Sequence, residues 1–182
     1  MQYVDLYDLR QYADFESEED DGLLETILAA AAELINGHTG RIFKIEEETT
    51  RTFRRYAGDS FWPFAGTRLW LDEDLADEAS AITGSPTVIY EPENSPPYSR
   101  LRLTDGAWAN PTLITGYWGY SRTPPVTIIE INLRLAKWLY NLRESKPIDF
   151  LTITPFGQVN VPSTLPADVV IMLTPYRRQV IA

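Results

Sequence analysis

Residues 113–143 read LITGYWGYSRTPPVTIIEINLRLAKWLYNLR, and the change of character within this stretch decides the fold. Its opening is β-like, and Gly116 and Gly119 predict a bulge or a close backbone approach there. Pro124 and Pro125 then set up a helix start, where a missing N–H costs least. Beyond them Ile128, Ile131, Leu135, Leu139 and Leu142, with Trp138 beside them, recur at three- and four-residue spacing, while Arg134, Lys137 and Arg143 fall largely off that stripe. The spacing predicts an amphipathic helix over 124–144. A strand is handed to a long helix through a proline hinge, so the chain mixes both element types.

Working outward, a second apolar stripe lies upstream. Leu23, Leu24, Ile27, Leu28, Ala31, Leu34, Ile35 and His38 predict a helix over 17–38 that ends near Gly40. Ser17 with Asp20 resembles a capping box, and the acids around them complement the positive helix end. LYDLRQYA at 6–13 is a further short helix. Between the two long helices, EETTRTFRRYAG, TRLWL, PTVIYE, YSRLRL and TLITGYWGY are about five strand candidates separated by Gly, Pro, Asn and Asp clusters. Short turns between sequential strands favour antiparallel hairpins or a meander. After Lys146 five prolines fall within the last 36 residues, FLTITPFGQVNV reads as an extended arm or hairpin, and LPADVVIML as a short helix with Pro166 in its first turn. The fold class expected is α+β: a small α-helical bundle with an inserted antiparallel β module and an extended C-terminal arm. Its divisions are N-terminal scaffold helices at 1–45, the β module at 46–121, a scaffold helix at 122–146, and the Pro-rich arm with its short helix at 147–182.

Composition supports a folded chain. In 182 residues, 44% are aliphatic or aromatic and Trp, Tyr and Phe make up 12%, too many for disorder. No run of about eighteen apolar residues exists, and the charged start MQYVDLYDLRQYAD is unlike a signal peptide. Cys is absent, which removes disulfides and thiolate metal sites. The net charge of −10 is uneven: residues 1–48 hold 13 acids and 3 bases, residues 121–182 hold 4 and 7. Such polarity argues against a general nucleic-acid binder and suits subunits that meet front to back; a solvated acidic helix end would account for it equally.

No catalytic, cofactor or metal site emerges from the residues. His38, the single histidine, reads as a helix-end cap, and no nucleophile elbow, P-loop or dinucleotide fingerprint is present. The acidic run fails as a calcium loop, since Leu28 stands where the bidentate Glu would be. Alternation would put Asp72 and Asp74 on one strand face, as a carboxylate-dependent hydrolase would need. Trp62, Trp70, Tyr90, Trp108, Tyr117, Trp118 and Tyr120 fit the inner faces of a β module better than the stacking platform of a carbohydrate-binding module.

Taken together, DDGLLETILAAAAELINGHTGRIF, YEPENSPPYSRLRL, ITGYWGYSRTPPVTIIEINLRLAKWLYNLR and LPADVVIMLTPYRR resemble the head-tail connector (adaptor) proteins of long-tailed bacteriophages, in the longer form that carries a β insertion. The resemblance implies a structural virion protein without enzymatic activity or cofactor. It implies a closed ring of about twelve copies under the portal protein, at the neck of the virion, assembled in the host cytoplasm. Such a ring extends the DNA channel without binding DNA specifically, involves no membrane, and receives a downstream stopper or tail-completion protein. For the arm itself, prolines limit regular structure while Val169, Met172 and Leu173 are too apolar for water, and Tyr176, Arg177 and Arg178 are of the types found at interface anchors. These six residues are the expected partner interface, with the arm working in trans instead of completing its own core.

Overall fold

The computed structural model describes residues 2–15, 20–55, 63–93, 95–142, 151–154, 157–160 and 165–178. They divide into two compact units, one from 1–40 with 124–182 and the other from 41–123. In the first unit α1 spans Leu6–Ala13, where the sequence places it. The carboxylate of Asp5 accepts from the Asp8 N–H at 2.9 Å, and Asp14 in the left-handed conformation ends the helix. Helix α2 spans Asp21–Thr39 and closes at Gly40, whose φ of 66° suits glycine and whose N–H donates to the Asn36 carbonyl at 2.8 Å. The Ser17 capping box lies outside the described residues. Asp20, at the described N-cap, makes no cap hydrogen bond and accepts instead from the Tyr140 hydroxyl at 2.8 Å.

Among its described residues the second unit holds seven strands: β1 (Thr49–Phe53), β2 (Phe64–Ala65), β3 (Arg68–Leu75), β4 (Ala81–Ile82), β5 (Val88–Glu91), β6 (Tyr98–Leu103) and β7 (Thr112–Gly116). All pairings are antiparallel. They make a sheet of order β1-β7-β4 and a sheet of order β2-β3-β6-β5, so a simple meander is not what forms. Only β2–β3 and β5–β6 pair as sequence neighbours, while β7 inserts between β1 and β4. Phe53, Phe64, Leu69, Leu71, Leu75, Leu101, Leu103, Trp108, Ile114 and Trp118 form the core of this unit. Burying such side chains stabilises by roughly 1.5–3 kcal/mol each for the aliphatic ones. Both core indoles are satisfied, Trp108 Nε1 donating to the Thr67 carbonyl and Trp118 Nε1 to the Thr49 carbonyl, each at 2.8 Å.

The glycines of the opening stretch meet the close approach expected of them. A Cβ at Gly116 would sit 2.9 Å from Leu75 Cδ2, and one at Gly119 would sit 2.1 Å from Ile45 Cδ1 and 2.9 Å from the Ile42 carbonyl oxygen. That carbonyl also accepts from the Tyr120 N–H at 2.7 Å, which holds the two segments together.

Helix α3 spans Val126–Leu142 and starts directly after the two prolines, with the Pro125 carbonyl accepting from the Ile128 and Ile129 N–H groups at 2.8 and 3.1 Å. Its buried face carries Ile128, Ile131, Leu135, Ala136 and Leu139, and it packs on α2. Asn132, fully buried, donates from Nδ2 to the Leu28 carbonyl at 3.4 Å across that contact. Strands β8 (Leu151–Thr154) and β9 (Gly157–Asn160) pair as an antiparallel hairpin, and β9 lies against α3. Helix α4 (Ala167–Leu173) follows Pro166, packs on α3 and α2, and continues into a single 3₁₀ turn at Thr174–Tyr176. The result is the α+β fold expected from the sequence.

Candidate docking surfaces

The C-terminal segment differs from the expectation of an arm that leaves its own core empty. Val169 and Leu173, four residues apart and so on one helix face, are 1% and 0% exposed in the core of the helical unit. They are removed from the set of six candidate interface residues, because a side chain already enclosed by its own chain has no surface left to offer. Of the others, Met172 and Tyr176 are half-buried, Arg177 is exposed and Arg178 half-buried. The Arg178 N–H donates to the Thr39 carbonyl at 2.8 Å, which ties the segment to the end of α2. Ile171, part of the same apolar run but outside that set of six, is 72% exposed on the outer face of α4. Beside it, Arg134 of α3 donates to Asp168 at 2.9 Å and to Glu130 at 3.2 Å. The guanidinium holds the Asp168 carboxyl below its ordinary value, and the two carboxylates raise Arg134 in turn.

The residues weighed for chemistry are dispersed. Asp72 and Asp74 do not share a face: Asp72 is exposed and pairs with Arg51 at 3.0 Å, whereas Asp74 is buried and pairs with Arg41 at 2.9 Å. The cause is a register irregularity in β3 between Trp70 and Leu75, which breaks the alternation. Trp108 and Trp118 belong to the core, Trp70, Tyr90, Tyr117 and Tyr120 are half-buried, and Trp62 lies outside the described residues. Tyr90 has its phenol raised by burial while accepting from the Ala79 N–H at 3.0 Å. His38 stands half-buried in the last turn of α2, the position of a helix-end cation. Among the described residues no group of three His, Asp or Glu is disposed to hold a metal ion.

Two surfaces of opposite sign are built by the secondary structure. In the four-stranded sheet, Arg68 lies opposite Arg102, and Arg102 opposite Ile89; Trp70 lies opposite Arg100, and Arg100 opposite Glu91. Directly opposed residues share a face, so three guanidinium groups converge on the outer side. At their centre Glu91, with a side chain 10% exposed, faces Arg102 Nε at 3.1 Å, Arg100 Nε at 3.3 Å and Arg68 Nε at 3.7 Å. Arg102 also donates to Glu93 at 3.2 Å. On α1, by contrast, Tyr7, Asp8 and Gln11 are exposed, flanked by the exposed caps Asp5 and Asp14. The single base of that helix, Arg10, is drawn inward by its ion pair with Asp21 of α2.

No protein-family model matches the chain, and no curated protein does. Among solved structures it is similar to a chain of the "neck of empty GTA particle computed with C6 symmetry", with a TM-score of 0.62 and 15% identity over 99% of this chain and 92% of that one. It is similar to the same degree to a chain of the "neck of native GTA particle computed with C12 symmetry", with a TM-score of 0.61 and 15% identity over 99% and 91% of the two chains. At this identity the likeness is one of fold, and it extends over both units.

Proposed function

We propose that this chain is a structural protein of the head-tail neck of a phage-like particle, a non-enzymatic adaptor that forms a closed ring under the portal. The ring extends the DNA channel and offers a docking surface to a downstream stopper or tail-completion protein. The observation that carries this reading is a fold likeness to a neck chain covering 99% of this chain and 92% of the other. The helix ending in TGRIF and the TGYWGY…PP strand-to-helix junction, which resemble connector proteins, support the same reading independently. Those necks were computed with sixfold and twelvefold symmetry, which supports a twelvefold ring here, since such a ring contains the sixfold operator. In this reading residues 46–121 are a β module set into the helical scaffold, and Ile171, Met172, Tyr176, Arg177 and Arg178 face the portal or the next component. The particle neck is its location, and no helix among the described residues is long and apolar enough to cross a membrane.

A channel must let a polyanion slide, and a net charge of −10 suits that task because tight phosphate binding needs clustered Lys and Arg. Electron microscopy of the purified protein, alone and with the portal protein of its particle, tests the proposal. A ring seated on the portal is the expected result. A persistent monomer that ignores the portal, or one that binds duplex DNA tightly with a steep salt dependence, refutes it.

A further inference from the structure

We propose that the outer face of the four-stranded sheet, Arg68, Arg100 and Arg102 around Glu91, receives the acidic outer face of α1 from a second copy of this chain. The inference rests on the ring reading and supplies its subunit contact. Charge carries the choice of occupant. In a chain of net charge −10 this sheet face gathers three guanidinium groups over one enclosed carboxylate, with Glu93 engaging Arg102 at its margin. Residues 1–48 hold 13 of the 26 acids, and on α1 Asp5, Asp8 and Asp14 stand exposed with no exposed base among them.

The sheet face is prepared for an anion. Arg102 Nε donates to Glu91 at 3.1 Å and Arg100 Nε is ion-paired to it at 3.3 Å, so both guanidinium groups are gathered around one carboxylate with less rotamer freedom left to lose on binding. Arg68, at 50% side-chain exposure, extends the patch towards solvent. Aromatic surface accompanies the charge on both sides. Tyr7 is 67% exposed, its hydroxyl held by Gln11 Nε2 at 3.2 Å, and half-buried Trp70 occupies the sheet rung of Arg100. Tyrosine packs well on a guanidinium plane and on indole. Sheet face and helix face are different patches of one chain, so the contact is head to tail; repeated with a rotation that divides the full turn and no rise, it closes a ring. Charged contacts of this kind orient partners and speed encounter, and they weaken as salt is added.

Paired charge reversal tests the contact by sedimentation velocity at the highest soluble concentration. One variant, Arg68→Glu with Arg100→Glu, makes both patches acidic; the other, Asp8→Arg with Gln11→Lys, makes both basic. Wild type should self-associate, each variant alone should lose all species above monomer, and an equal mixture should regain them, because each patch then meets its opposite. Assembly of either variant alone, or a mixture of folded variants that stays monomeric, overturns the contact while leaving the ring reading standing. A wild type that stays monomeric at that concentration overturns the contact, and the ring reading falls with it only if that monomer also ignores the portal. Should the sheet variant fail to fold by circular dichroism, the helix variant decides. It must be monomeric alone yet shorten wild-type assemblies by capping them, and failure to do so overturns the contact.

Discussion

Replacing Gly119 with alanine should destabilise the β unit, and the structure sets the size of the effect. The added Cβ would lie 2.1 and 2.8 Å from Cδ1 and Cγ1 of Ile45 and 2.9 Å from the Ile42 carbonyl oxygen. The tip of Ile45 can rotate away. The Ile42 carbonyl has less freedom, because it accepts the Tyr120 N–H at 2.7 Å and moving it breaks that bond. Overpacking of this kind costs about 1–3 kcal/mol, and a weakened backbone hydrogen bond adds about 1 kcal/mol. With a urea dependence near 2 kcal/mol per molar, a loss of about 2 kcal/mol moves the denaturation midpoint down by about 1 M. Gly37→Ala is the control: it lies inside α2, its Cβ would have nothing within 4 Å, and it should stabilise by roughly 0.5–1 kcal/mol. Urea titrations followed by circular dichroism and Trp emission compare the two. A Gly119→Ala midpoint equal to wild type would refute the reasoning, as would equal shifts of one sign for both variants.

Leu135→Asp puts an uncompensated carboxylate at a fully buried position of α3, at a cost of several kcal/mol, so the variant should be insoluble or unfolded; normal solubility and an unchanged melt would count against the α3 face assigned here. Leu173→Ala should destabilise the helical unit by about 2–4 kcal/mol, since the side chain is 0% exposed, and a melting curve indistinguishable from wild type would return α4 to the role of a free arm. Asp168 has its carboxyl lowered by Arg134, so the stability it adds is complete above the unfolded value and is lost as pH falls through the lower folded one. An NMR titration of Asp168 should therefore show a midpoint that returns to the ordinary carboxylate range in Arg134→Ala; an Asp168 midpoint unmoved by that substitution would exclude the pair.

Where burial on one side alone shapes an element, its residues announce it. The stripe from Leu23 to Ile35, the left-handed Gly40 and the Pro124–Pro125 start all correspond to observed boundaries because each is a local requirement of helix geometry. The segment VVIML at 169–173 is apolar on every side, so periodicity could not separate the inward Val169 and Leu173 from the outward Ile171. Strands β2 and β4 have two residues each, too short for an alternation to register. Alternation also misled at Asp72 and Asp74, where the irregularity in β3 depends on partners distant in sequence. The pairing of β7 with both β1 and β4 was likewise invisible, as nothing local records which strand lies beside which. The arginine face belongs to this class. Arg68, Arg100 and Arg102 become neighbours through sheet register alone.

The helical unit is discontinuous in sequence, with residues 41–123 standing between α2 and α3, and this orders events on the ribosome. At about 5–20 residues per second, α2 emerges roughly 5–20 s before the helix that covers its apolar face. During that interval the β unit, continuous in sequence, can form its own core, while Leu24, Ile27, Leu28, Ala31 and Ile35 remain without α3. A nascent chain in this state displays a sticky stripe to every neighbouring copy on the same message. The carboxylates concentrated at its front then act as a repulsive guard, keeping α2 from finding another α2 before its own partner has been made.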